Sequence, residues 1–225
     1  MDEDFRVGIR DSLPFHLGVI PYGLITGIAG IEAGLTAGQI IGMSATVYAG
    51  ASQLAALELL GNTAPLALIV GTAVVINLRL LMYSASIAPY FADRSRKVRA
   101  SVAFFMGDHA YVRSVMEFEN EENRNRFRYY LGLAASIWVT WVLSTALGVG
   151  LGASVPPGLE LSFAVPLVFL ALLVPVMKDR ATTTTGIVAG IGALLGAAAP
   201  FNLGLVIGAI AGIAAGRIVE MRGTR

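Results

Sequence analysis

The sequence predicts an all-α integral membrane protein, a polytopic helical bundle of six or seven crossings with a broken or re-entrant helix near Gly50. Three observations predict it. Of the 225 residues, 56% are hydrophobic and only 14% charged, whereas a soluble domain carries roughly 25% charged residues. Apolar tracts recur from Leu13 onward, several of them reaching the about 20 residues that a helix needs to cross the hydrocarbon core. One tract is interrupted by Gly50-Ala51-Ser52, residues that help a membrane helix unwind or kink. The expected organisation is a single transmembrane domain over 1–225: a motif-bearing half at 1–116, a polar cytoplasmic loop at 117–128 and a four-helix half at 129–225.

The elements follow the apolar tracts in order. The first, 13–31, is not read as a cleavable signal peptide, because Met1 to Asp11 is more acidic than basic and no clear small-residue cleavage site follows. Pro21 and Gly23 offer it a kink. The second, 37–60, contains the Gly50 break, and the third, 64–91, carries Arg79. A weaker stretch, 101–116, holds Asp108, His109 and Arg113 and is too short and polar to span alone, so it reads as an interfacial or re-entrant helix. Glu117 to Arg128 reads as a solvated loop. The tracts 129–153, 161–177, 181–199 and 201–217 then form the four-helix half. Trp138 and Trp141, one turn apart, are expected to pack or face lipid. Gly204, Gly208, Gly212 and Gly216 recur every four residues and form one stripe that lets another helix approach closely. That stripe serves either packing within the bundle or docking of a separate subunit. Pro14-Phe15-His16-Leu17-Gly18 echoes Pro200-Phe201-Asn202-Leu203-Gly204, too short a match to establish a repeat.

Lys and Arg concentrate on cytoplasmic loops near membrane ends. Arg124, Arg126 and Arg128, then Lys178 and Arg180, then Arg217, Arg222 and Arg225 belong inside, and the intervening turns at 154–160 and 198–202 lack both residue types. The C-terminus is therefore expected in the cytoplasm. Arg94, Arg96, Lys97 and Arg99 put the loop after the third tract inside as well. Three full crossings before that loop place Met1 outside; a re-entrant second tract places it inside. The formal net charge of +1 argues against a nucleic-acid footprint. With no cysteine, and two histidines without ligand spacing, neither a metal site nor another cofactor is expected.

Charge within a span needs a partner, a water-filled cavity or a function. Arg79 lies mid-tract, and its guanidinium can hold a substrate carboxylate bidentately; the structural alternative is pairing with Glu58 or Asp108. The run Ser44 to Gln53 gathers the hydroxyls of Ser44, Thr46, Tyr48 and Ser52 and the Gln53 amide around Gly50, and a discontinuous membrane helix there exposes backbone groups that can bind an amino acid's carboxylate and ammonium. The alternative is that Ser44 and Thr46 bond back to their own helix. Asp108 and His109 are candidates for proton coupling, or else an interfacial pair in which Asp108 balances Arg113 or Arg79. The candidate substrate-binding set is Ser44, Tyr48, Gly50, Ser52, Gln53, Asn77 and Arg79.

These residues carry a resemblance. The run Gly34-Leu35-Thr36-Ala37-Gly38-Gln39, followed by Met43-Ser44 and by Tyr48-Ala49-Gly50-Ala51-Ser52-Gln53-Leu54-Ala55-Ala56-Leu57, is similar to the hallmark of the AzlC family, the large subunit of branched-chain amino acid exporters. Asn77-Leu78-Arg79, Leu81-Met82-Tyr83 and Pro89 resemble its second block. Gly107-Asp108 resembles a third element in which an acid pair precedes an aromatic, although here His109 replaces the second acid and Tyr111 supplies the ring. The resemblance implies export of leucine, isoleucine, valine and similar apolar amino acids by a proton-coupled secondary transporter of a prokaryotic plasma membrane. It also implies a separately encoded small membrane subunit of the AzlD type. No Walker motif is present, which agrees with transport not driven directly by ATP. The competing readings are a channel or pore subunit, a membrane scaffold and an intramembrane enzyme, the last lacking any Ser/His or paired-Asp constellation.

Overall fold

The computed structural model describes residues 3–121, 124–154, 177, 179–196 and 203–223. Every regular element among them is helical. They belong to two compact units, Met1–Val165 and Pro166–Arg225.

In the first unit α1 spans Glu3–Glu32, beginning ten residues before the apolar tract that announced it. Hydropathy reports only the membrane-embedded part, while Glu3 and Asp4 in the first turn suit the helix dipole. The helix stops in a Schellman arrangement: Gly34, at φ 79°, donates to Ile31 O and Leu35 to Gly30 O. The second tract is two helices, α2 (Ala37–Val47) and α3 (Gly50–Gly61). A reciprocal capping box between Thr36 and Gln39 starts α2. Tyr48 ends it in the left-handed conformation, φ 45° and ψ 45°, strain of order 1–3 kcal/mol for a side chain other than glycine. The third tract is also divided, into α4 (Leu66–Asn77) and α5 (Arg79–Ile87) with a 3-10 turn at Ala88–Phe91; the sequence reading did not anticipate the break at Leu78. Next come α6 (Arg96–Phe104), α7 (Asp108–Asn120) and α8 (Arg126–Ala153).

The expected loop at 117–128 is corrected. Its first four residues extend α7 and its last three begin α8. Glu117 is 7% exposed, because it bridges Arg113 at 3.2 Å and Arg124 at 2.6 Å. Opposite charges neutralise one another there, so Glu117 need not reach water, whereas Glu119, Asn120, Glu121, Asn125 and Arg128 are exposed as expected.

Among the described residues three stretches are long and apolar enough to cross a membrane: Glu3–Glu32, Leu66–Phe91 and Arg126–Ala153. The first and last form the core, and they run parallel. Gly8 meets the backbone of Tyr129 and Leu133, Gly23 lies against Ser144 and Thr145, Gly27 against Thr145 and Val149, and Gly152 against Ile28 and Ile31. Backbones this close leave no room for a Cβ, as in small-residue membrane interfaces.

Two hairpins lean on that pair. Gln53 Nε2 donates to Ser44 Oγ at 2.6 Å across the Tyr48–Ala49 break, a contact that requires the chain to reverse between α2 and α3. The α6–α7 pair reverses at Phe105–Gly107. Tyr130 Oη donates to Val102 O at 2.9 Å on the way up, Phe105 packs on Trp138 near the tip, and Phe118 returns to the Tyr129 ring. Hairpin plus long stretch therefore occurs twice, over 37–91 and 96–153. Each element of the second copy starts about 60 residues after its counterpart: Arg96 after Ala37, Asp108 after Gly50, Arg126 after Leu66. The long stretches run in opposite senses. Asn77 of α4 reaches Ser52 near the first tip and Phe91 reaches Tyr130 near the start of α8, so α4–α5 descends where α8 rises. This is the geometry of an inverted repeat.

The second unit contains α9 (Arg180–Leu195), started by an Asp179–Thr182 capping box, and α10 (Leu203–Gly223). The glycine stripe of α10 packs on α9: a Cβ at Gly208 would lie 2.5 Å from Ala193 N, and one at Gly212 would lie 2.6 Å from Thr185 O. Packing within the bundle occupies this face at those positions. The expected segment at 161–177, apart from Met177, and the expected turns at 154–160 and 198–202, apart from Ser154, lie outside the described residues, as do Pro200, Phe201 and Asn202 of the sequence echo.

Candidate functional site

The two hairpin tips meet at one place. Gly107, at the second tip, lies against the Tyr48 ring of the first. Beside this contact is a cavity of about 230 Å³. Ala49, Gly50 and Ala51 line it from the start of α3, Arg79 and Leu80 from the start of α5, and Gly107, Asp108 and His109 from the start of α7. Val19 and Tyr22 of α1, Ile137 and Trp141 of α8, and Tyr48 make the remaining wall.

Three helix N-termini thus border one volume. None has a side-chain cap: Ala49, Leu78 and Gly107 precede α3, α5 and α7, and none makes a capping hydrogen bond. By contrast α2, α6 and α8, which start away from the cavity, are capped by Thr36, Ser95 and Asn125, while α4 starts after Pro65. Uncapped first turns leave backbone N–H donors free, and each helix brings partial positive charge to its start. Arg79 adds a full one.

Arg79 is balanced by Asp108, Nη1 to Oδ2 at 3.0 Å, the partner anticipated as the structural alternative. Tyr83 Oη donates to Asp108 Oδ1 at 2.9 Å and stacks on Tyr111 at 4.3 Å between centroids. The Nε of Arg79 is buried with no hydrogen-bond partner. Arg113, the other partner considered for Asp108, pairs with Asp11 at 2.6 Å and with Glu117. His109 packs its ring on Phe15 at 5.0 Å.

The sequence-based candidates divide into two groups. Tyr48, Gly50, Arg79, Asp108 and His109 border the cavity. Ser44, Ser52, Gln53 and Asn77 do not; they form a polar layer behind it. Gln53 donates to Ser44, Asn77 Nδ2 donates to Ser52 Oγ at 2.9 Å, and Ser52 Oγ donates to Ala49 O at 2.9 Å. Ser44, Ser52 and Gln53 are at most 2% exposed, so this layer fixes the break at Tyr48–Ala49. Thr46 bonds back to Gly42 O at 2.7 Å, the alternative considered for it.

Tyr22, Trp141, Tyr83 and Gly107 were missed. Trp141, expected only to pack or face lipid, is 4% exposed and lines the cavity beside Tyr22, the two rings 5.7 Å apart. Its spacing from Trp138 carried no sign of this; the aromatic Tyr22 next to Pro21 was the available signal. Trp138 instead donates Nε1–H to Ala45 O at 3.1 Å, bracing the end of α2. Among the described residues no group of three His, Cys, Asp or Glu side chains is arranged to hold a metal ion.

Comparison with known proteins agrees with the helical, apolar architecture. The family model described as AzlC protein matches residues 14–155. The chain is 25% identical over 225 residues to the inner membrane protein YgaZ of Escherichia coli, an alignment covering 96% of this chain and 89% of that protein. It is 31% identical over 180 residues to an uncharacterized membrane protein of Archaeoglobus fulgidus, covering 78% of this chain and 77% of that one. No solved structure matches.

Proposed function

The chain belongs to the AzlC family of membrane proteins, and on that premise we propose that it is a secondary-active transporter exporting branched-chain and similar apolar amino acids. It would work as the large subunit beside a small AzlD-type membrane partner and be coupled to protons. The observation that carries this reading is the convergence of three uncapped helix N-termini and Arg79 on one cavity with an apolar far wall. An aliphatic amino acid asks for such a site. Its carboxylate fits the N–H groups of α3 and α5 and the guanidinium of Arg79. Its ammonium fits Asp108. Its side chain fits the wall of Val19, Tyr22, Ile137 and Trp141, which asks for apolar bulk without specifying shape.

The Arg79–Asp108 pair then receives both ends of the ligand without coming apart. The carboxylate takes the remaining edge of the guanidinium, and the ammonium takes Asp108 from its exposed side. Asp108 and His109 are the candidate coupling groups in this reading.

For topology we favour six crossings with both termini in the cytoplasm. The parallel packing of α1 and α8 supports it, because Glu3 and Arg126 then share one side, the side marked by Arg124, Arg126 and Arg128. The α2–α3 hairpin would enter from outside and the α6–α7 hairpin from inside.

The test is efflux of labelled leucine from proteoliposomes, with and without a proton gradient and the candidate small subunit. Saturable, gradient-stimulated efflux is expected. Flux that never saturates and ignores the gradient would instead identify a pore.

A further inference from the structure

A second concavity of the first unit has chemistry that amino acid transport does not use. It is a groove of about 450 Å³ between the end of α5 with its 3-10 turn and α6. Ile87, Phe91 and Val102, each at most 4% exposed, line its base. Met106 and Ser84 close one end, where Ser84 Oγ contacts Met106 Sδ at 3.5 Å. Arg99 stands at the other end. It is exposed and makes no ion pair among the described residues, and the same holds for Arg94, Arg96 and Lys97 beside it. Arg96 and Arg99 are three apart on α6 and share one face.

We propose that this groove binds an anionic phospholipid of the cytoplasmic leaflet, with the headgroup phosphate on Arg99 and an acyl chain running toward Met106. The dimensions agree. Met106 lies seven positions after Arg99, about 10 Å at a helical rise of about 1.5 Å per residue, and a leaflet's hydrocarbon is about 15 Å deep. A free phosphate would need the cations but no apolar trench. A peptide would leave backbone donors and acceptors facing an apolar base. A phospholipid satisfies both ends, and clustered cations next to a membrane segment favour anionic headgroups by about fivefold in affinity for each cation. The groove separates α5, which begins at Arg79, from α6, which carries the second hairpin tip. A bound chain therefore supports that tip against α5.

Native mass spectrometry of the purified protein tests this, using phosphatidylglycerol and phosphatidylcholine with identical chains. One phosphatidylglycerol is expected to be retained at a concentration at least tenfold below that needed for phosphatidylcholine. Arg99→Gln should weaken retention about fivefold. Ala103→Phe leaves every cation in place and fills the groove from an exposed position, so the retained lipid should be lost; Ala85→Leu does the same from the opposite wall should the first variant not fold. Equal retention of the two lipids, a phosphatidylglycerol preference that survives groove filling, or displacement by glycerol 3-phosphate alone would each overturn the proposal.

Discussion

Arg79→Lys separates a ligand clamp from a structural cation. In the structure one terminal nitrogen of Arg79 holds Asp108 at 3.0 Å, while Nε is buried and unpartnered. The guanidinium can therefore keep Asp108 and still offer another edge to a carboxylate. A lysine has a single compact head on a flexible stem and must choose between them. The substitution removes at least one hydrogen bond to a charged group, worth about 1.5–3 kcal/mol. Because the Arg79 and Asp108 side chains are 32% and 41% exposed, the lower end applies, which is about tenfold in leucine affinity. Thermal stabilisation of the purified protein reads this directly. At a leucine concentration of about 100 Kd the native protein gains about 2.7 kcal/mol; at the same concentration a tenfold weaker variant gains about 1.4 kcal/mol. Efflux in proteoliposomes should fall in parallel, with expression and unliganded stability unchanged. Full efflux together with undiminished leucine stabilisation would refute the clamp and leave Arg79 as the structural partner of Asp108.

Two further predictions concern the frame around the site. Since the chain has no cysteine, single cysteines introduced near position 2 and near position 224 can be labelled without background, and both should react with an impermeant thiol reagent only from the cytoplasmic side; labelling of the first from outside would restore seven crossings. Gly27→Leu should destabilise the protein by about 3 kcal/mol or more, because even a Cβ there would sit 2.5 Å from Val149 N, in a backbone that cannot rotate aside. Gly18→Leu, which meets nothing within 4 Å, is the control; equal melting temperatures for the two variants would show that the α1–α8 contact is not tight.

Much of this arrangement was legible in composition and in single residues. Arg79 and Asp108 were conspicuous because charge is costly in hydrocarbon, and the Gly50 break because a Gly-Ala-Ser run interrupts an otherwise apolar tract. What could not be read was partnership. Nothing in the spacing of Ser44, Ser52, Gln53 and Asn77 distinguished a ligand-facing layer from the supporting layer they form, since either use buries the same hydroxyls and amides. The break at Leu78 was invisible because a leucine carries no turn signal; it is dictated by contacts on either side. Trp141 and Tyr22 become cavity walls only once α1 lies parallel to α8, a relation between residues more than a hundred positions apart. The repeat escaped notice because its two copies share element order and spacing rather than sequence.

That parallel contact bears on how the chain reaches its folded state. Ser12 and Ser136, which touch across it, are 124 residues apart, and at about 5–20 residues per second a ribosome needs about 6–25 s to travel from one to the other. During that interval α1 and the first hairpin are already made, yet the helix that seals their small-residue face does not exist. The Ser44–Gln53 and Asn77–Ser52 hydrogen bonds lie within 37–91 and can form before α8 exists, while Gln53 Oε1 and Asn77 Oδ1 stay unpaired even in the folded chain. Biogenesis thus favours a half-built intermediate that shields part of its own polarity while it waits for its lid, and places the most vulnerable moment of synthesis just before α8 emerges.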